Sequence, residues 1–173
     1  MLEKDYLINK FKKTPGVLKT GEFTLSSGEK SPYYIDTKKL LLTDDGLQSA
    51  CHCISELEID FEQVGGVELG AVPIVCGLLA TSDMALDGFI IRKEVKNYGT
   101  EHLIEGTCGK APTLIVEDVT TTGATLLKAI KTAEDAGAEV IAAVAVVDRS
   151  NGKAAELLKG IPFYSILKIE ELF

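Results

Sequence analysis

Apolar residues fall into two regimes along this chain. Up to about residue 60 they recur at helical or alternating spacing among polar positions; from residue 63 onward they gather in short extended runs separated by helical stretches. The runs are 63–68, 88–92, 113–118 and 139–148, the last almost wholly apolar. A near-continuous apolar run such as the last suits a parallel strand covered on both faces. Residues 72–82 and 124–136 carry the pattern of the covering helices, the second closing at Gly137, a residue type suited to a helix C-terminus. Strand and helix in alternation predict a doubly wound α/β architecture, a central parallel sheet flanked by helices.

Upstream, Leu2, Tyr6, Ile8 and Phe11 stand near helical spacing before Pro15-Gly16 and predict a short amphipathic helix. Glu22-Phe23-Thr24-Leu25 and Tyr33-Tyr34-Ile35-Asp36 flank the turn-forming Ser26-Ser27-Gly28, which predicts a hairpin within 22–42. Thr43 before Asp44 and Asp45 supplies an N-cap with acids in the first turn of a helix running toward residue 57. No repeat or Pro/Ser-rich linker interrupts the chain, so one domain over 1–173 is expected.

Composition narrows the classes. Hydrophobic residues make up 46% and charged residues 25% of 173, enough to bury a core and too apolar for disorder. The balance of 18 Lys+Arg against 26 Asp+Glu gives a net charge of −8 and argues against nucleic acid as a partner, because phosphate backbones call for a clustered basic face. No apolar stretch approaches the ~20 residues of a membrane span, and the N-terminus lacks the apolar centre of a signal peptide; a cytoplasmic protein is expected. Cys51 and Cys53 form a C-x-C in a helical stretch, and neither His52 nor His102 falls at zinc-site spacing, so the four cysteines read as free buried thiols in a reducing compartment.

Parallel α/β sheets bind ligands beyond the carboxyl ends of their strands. Those ends carry Glu68 to Gly70, Arg92 and Lys93, Glu117 and Asp118, and Asp148 and Arg149. The sharpest of them is Leu114-Ile115-Val116-Glu117-Asp118-Val119-Thr120-Thr121-Thr122-Gly123-Ala124-Thr125. A strand ends in two carboxylates, and a Thr/Gly loop then opens a helix whose first-turn N–H groups suit a phosphate. No Gly-Lys-Ser/Thr follows, which removes the triphosphate-binding P-loop. The acids repel a phosphate and suit sugar hydroxyls or a magnesium-bound polyphosphate.

Three further segments join it. Arg92, Lys93 and Lys96 lie within five residues, followed by Tyr98, Gly99 and His102, the composition of a charged loop or of a lid over pyrophosphate. Residues 23–36 make an aromatic-lined turn able to cover a planar ligand. Val146-Val147-Asp148-Arg149 sets a guanidinium at a buried strand end, where it either caps through Asp148 or forks onto a ligand carboxylate.

Residues 114–125 resemble the 5-phosphoribosyl-1-pyrophosphate (PRPP) motif of the type I phosphoribosyltransferases. Within that family, Phe23-Thr24-Leu25, Ser27-Gly28, Ser31-Pro32-Tyr33, the Arg92-Lys93-Lys96 segment, the acid-threonine motif and Asp148-Arg149 are similar, in the same order, to orotate phosphoribosyltransferases. The resemblance implies the type I phosphoribosyltransferase (Rossmann-like) fold with a small N-terminal hood of about residues 1–42. It implies transfer of phosphoribose from PRPP to N1 of orotate in pyrimidine (UMP) synthesis. It assigns catalysis to Lys93, Lys96 and Asp118, and PRPP binding to Arg92, Lys93, Lys96, Tyr98, Glu117, Asp118, Val119, Thr120, Thr121, Thr122, Gly123, Ala124 and Thr125. Orotate falls to Thr121, Arg149 and Tyr34. It further implies Mg2+ held mainly through PRPP and water, without direct protein ligands, and a homodimer that shares the lid across its interface. Well-known bacterial members carry Lys at the positions of Ser26 and Gly70, and a His is common where Tyr98 stands. The alternatives are a purine-base phosphoribosyltransferase, which has no need of Arg149, and a non-catalytic PRPP- or nucleotide-sensing regulator, whose RNA-binding form the charge of −8 disfavours.

Overall fold

The computed structural model describes residues 3–24, 28, 30–83, 85–93 and 103–173. Helix α1, Glu3–Lys13, has acids in its first turn and lysines in its last, the arrangement that complements the helix dipole. Its fully buried residues are Leu7 and Phe11, one turn apart. Of the face expected from the sequence only Phe11 is among them: Tyr6 lies toward the rim, where its hydroxyl meets Asp45, and Leu2 lies outside the described residues.

Strands β1, Leu18–Thr24, and β2, Lys30–Ile35, form the expected antiparallel hairpin, with an irregularity between Thr20 and Phe23. It begins earlier than the sequence pattern suggested, at Leu18 opposite Ile35. A short helix α2, Lys38–Leu41, buries Leu40 and Leu41 and turns the chain into α3, Asp44–Ser55. Thr43 caps α3 as expected, its hydroxyl accepting the Gly46 N–H at 3.3 Å. Cys51 and Cys53 are buried on α3, and burial pushes their thiols up to about 12 and 11. Cys76, against expectation, is exposed, and all four thiols are free.

The remainder is β3 Gln63–Val67, α4 Val72–Thr81, β4 Asp87–Ile91, β5 Ile104–Gly106, β6 Pro112–Thr120, α5 Ala124–Asp135, β7 Glu139–Asp148, α6 Lys153–Leu157 and β8 Phe163–Lys168, then a 3-10 turn, Ile169–Leu172. The sheet order is β5-β4-β3-β6-β7-β8, parallel except for β5, which runs antiparallel on β4. Alternation along β6 covers both faces: Leu114 and Val116 pack with Leu7, Ile54 and Ile74 on one side, and Ile115 packs with Phe89, Leu126 and Ile130 on the other. The chain leaves β3 toward β4 and returns to β6 on the other side of β3. That reversal opens a crevice between the ends of β3 and β6, where doubly wound sheets bind ligands.

One boundary needs correction. β6 runs on to Thr120, paired with Asp148 of β7, so Glu117 and Asp118 stand in the strand rather than beyond its end.

Candidate functional site

The crevice is a cavity of about 550 Å³ lined by Lys38, residues 67–70, Lys93 and residues 117–125. Its floor is the turn from β6 into α5. Gly123 adopts φ 84°, the left-handed region, and a Cβ there would stand 2.9 Å from Ala154 Cα; both conditions favour glycine. The Gly123 N–H donates to Thr120 Oγ1 at 3.2 Å and the Ala124 N–H to Thr122 Oγ1 at 3.3 Å, so the threonines shape the loop that brings the start of α5 to the cavity. Thr121 also lines it.

Successive side chains of a strand point to opposite sides, and the two acids accordingly have different surroundings. Glu117 is 9% exposed and its Oε2 is buried without a hydrogen-bond partner. Burial, and then the neighbouring Asp118, push its pKa up to about 8, against the opposing pull of the Thr120 and Thr125 hydroxyls and Lys93. Asp118 instead accepts a hydrogen bond at Oδ2 from the hydroxyl of Thr37, a residue from between the hairpin and α2. A Cβ on Gly70 would lie 2.2 Å from Asp118 Oδ1, so the loop after β3 passes close against this carboxylate. The same loop holds a cis peptide bond, Glu68-Leu69, and the Glu68 Oε1 accepts the Lys93 N–H at 2.9 Å.

Arg149 follows β7, its N–H donating to the Thr120 carbonyl at 3.0 Å. Its Nη2 donates to Ser31 Oγ at 2.8 Å, and its guanidinium carbon lies 4.4 Å from the centre of the Tyr33 ring. A cation over an aromatic face at this distance is attracted by the ring quadrupole. The side chain thus meets the hairpin rather than its neighbour: Asp148 Oδ1 accepts the Ser150 N–H. Tyr34, expected at the orotate site, points to the other side of β2, where its ring is 5.6 Å from that of Phe23 and lies near Lys19. The hairpin aromatic beside Arg149 is Tyr33, a consequence of strand alternation.

Among the expected cations, Lys93 lines the crevice, whereas Arg92 borders a neighbouring cavity of about 400 Å³ with Lys93, Thr125 and Lys128, and pairs with Glu105 at 3.6 Å. Lys96, Tyr98, Gly99, His102 and Ser26 lie outside the described residues. Sequence reasoning did not find Thr37, Lys38, Ser31 or Tyr33 in these positions. Thr37 is separated from Asp118 by 81 residues, and no local pattern announces such a meeting.

The family model for the phosphoribosyl transferase domain matches residues 65–171. An orotate phosphoribosyltransferase of Pyrococcus horikoshii is 39% identical over 100% of this chain and 95% of its own length. One from Methanosphaera stadtmanae is 43% identical over 97% and 95%. The chain belongs to the orotate phosphoribosyltransferase family. Its fold is that of the type I phosphoribosyltransferases: the crystal structure of the Mycobacterium tuberculosis H37Rv orotate phosphoribosyltransferase in complex with PRPP superposes with a TM-score of 0.80 at 29% identity, covering 98% of each chain. In this orotate phosphoribosyltransferase family member the acid-threonine segment and Arg149, identified separately in the sequence, meet at adjoining strand ends of one sheet.

Proposed function

We propose that this protein transfers the phosphoribosyl group of PRPP to N1 of orotate, giving orotidine 5′-monophosphate and pyrophosphate in pyrimidine (UMP) synthesis. The observation that supports the reading is the direct backbone contact between Arg149 and Thr120, which joins the chain of Arg149 to the threonine loop of the crevice, while its guanidinium is held by Ser31 and Tyr33 of the hairpin. A forked guanidinium suits the carboxylate that distinguishes orotate from an uncharged base.

In this reading Thr120 to Thr125 and the first turn of α5 take the 5′-phosphate. Glu117 and Asp118 take the ribose hydroxyls. Lys93, with Arg92 and Lys96, neutralises the departing pyrophosphate as the anomeric C–O bond breaks and positive charge grows on the ribose. Thr121 and Arg149 hold orotate, and Tyr33 steadies the guanidinium. Orotate is already anionic, so the work is positional and electrostatic and needs no strong base.

Magnesium fits this site as an ion carried by PRPP and water: the crevice is lined by Glu117, Asp118, Thr120, Thr121, Thr122 and Thr125, oxygen-bearing side chains suited to hydrogen-bond the waters that the ion retains. Bound with PRPP, the ion would supply neutralisation of the pyrophosphate charge. A homodimer with a lid shared across its interface, and a cytoplasmic location, belong to the same reading and rest on the family; among the described residues no helix is long and apolar enough to cross a membrane.

The test is ultraviolet detection of orotate consumption by purified protein with PRPP and magnesium. Consumption dependent on PRPP is expected. Silence with orotate and turnover with adenine, guanine or hypoxanthine would overturn the reading in favour of a purine-base enzyme.

A further inference from the structure

We infer that Thr37 is a positioning residue for this reaction, its buried hydroxyl fixing the Asp118 carboxylate in the orientation that receives the ribose of PRPP. The inference rests on the function proposed above and adds a residue outside the acid-threonine segment.

Thr37 is fully buried and stands immediately before α2. A threonine in that place ordinarily turns its hydroxyl onto an N–H of its own helix. Here it makes no such bond, and the hydroxyl donates to Asp118 Oδ2 instead. Its backbone is anchored: the Thr37 carbonyl accepts the N–H groups of Leu40 at 2.9 Å and Leu41 at 2.8 Å, and both leucines are buried. A rigid, core-anchored donor therefore meets the carboxylate from one side.

Gly70 meets it from another, with no room for even a Cβ. Held between a fixed hydroxyl and a glycine backbone, Asp118 does not have to be ordered when a sugar hydroxyl arrives, and pre-ordering of this kind improves affinity without a new contact to ligand. The segment that carries Thr37 also carries Ser31, which receives the Arg149 guanidinium. The hairpin side of the molecule thus supports the ribose-facing acid through Thr37 and the base-facing guanidinium through Ser31, two separable supports.

Separability makes the inference testable. In the full-length protein, Thr37→Val keeps the volume and removes the hydroxyl. PRPP affinity by calorimetry and KM for PRPP are expected to weaken roughly tenfold, the usual scale for loss of a hydrogen bond to a charged group. KM for orotate should change less than about twofold, and Thr37→Ser should restore PRPP binding. If the valine variant does not fold, Thr37→Ser against Thr37→Ala makes the same comparison, since both lack the methyl and differ only in the hydroxyl. Because Thr37 acts through Asp118, adding Thr37→Val to Asp118→Ala, which leaves no side-chain acceptor, should cost nothing further.

The inference is overturned if the valine variant binds PRPP like the parent, if serine fails to rescue, if both substrates weaken equally, or if the effect persists undiminished in Asp118→Ala. A parent protein that binds PRPP but does not consume orotate would overturn the functional reading instead, and the calorimetric comparison would still decide the role of Thr37.

Discussion

A Cβ built on Gly70 would lie 2.2 Å from Asp118 Oδ1, closer than any two such atoms can approach. The loop after β3 and the carboxylate of β6 are therefore fitted to each other, and position 70, which carries Lys in well-known bacterial relatives, has no room for a side chain unless Asp118 moves. Gly70→Ala should leave the far-ultraviolet circular dichroism unchanged while raising KM for PRPP at least about tenfold, because the methyl group displaces the acid proposed to bind ribose. An unchanged KM would show that Asp118 has other orientations that serve equally well.

Glu117 gives the stability a particular pH dependence. Its folded-state pKa, about 8, lies above the ordinary value of 4.5, so the folded protein holds this proton more tightly than the unfolded chain does. The stabilisation from proton binding is complete below about 4.5 and is lost as pH rises through 8. The melting temperature of the ligand-free protein should fall between about pH 5 and pH 9, and Glu117→Gln should flatten that decline. Calorimetry across this range checks it; parallel profiles for parent and variant would remove Glu117 as the cause.

The thiols should separate by exposure. Cys76 is exposed on α4, while Cys51 and Cys53 are buried with thiols pushed to about 12 and 11, which leaves almost no thiolate to react. Iodoacetamide on the native protein should label Cys76 first, and Cys51 and Cys53 only after denaturation. Peptide mass spectrometry reads the order directly.

Gly65 addresses packing alone. A Cβ there would stand 2.2 Å from the Phe89 ring, in the middle of the sheet. Gly65→Ala should destabilise the protein by about 1–3 kcal/mol through overpacking, measured by denaturant unfolding, with little selectivity between the two substrates.

The sheet was legible because its central strands are buried on both faces. β3, β4, β6 and β7 each hold a run of apolar residues or glycines between polar ends, and 63–68, 88–92, 113–118 and 139–148 announce them. β8 was not anticipated: as an edge strand it leaves Tyr164 and Lys168 exposed, so its apolar signal is diluted. β5, three residues long, is too short to show a period. Within the site, the acid-threonine loop is local in sequence and could be read there. The contacts that complete it are not. Thr37 with Asp118 and Ser31 with Arg149 join residues 81 and 118 apart, and choosing Tyr33 over Tyr34 requires knowing which face of β2 turns toward the guanidinium.

The central claim is that Arg149 selects a carboxylate-bearing base for a PRPP-dependent transfer, and uracil, which is orotate without its carboxylate, tests it most directly. The measurement is the ratio of kcat/KM for orotate to that for uracil, in the parent and in Arg149→Ala, with KM for PRPP recorded alongside. The parent should prefer orotate strongly, and the variant should lose that preference by about 100-fold, the scale of a charge-assisted bidentate pair, with KM for PRPP nearly unchanged. A preference that survives in Arg149→Ala, or an equal rise in KM for PRPP, would contradict the account.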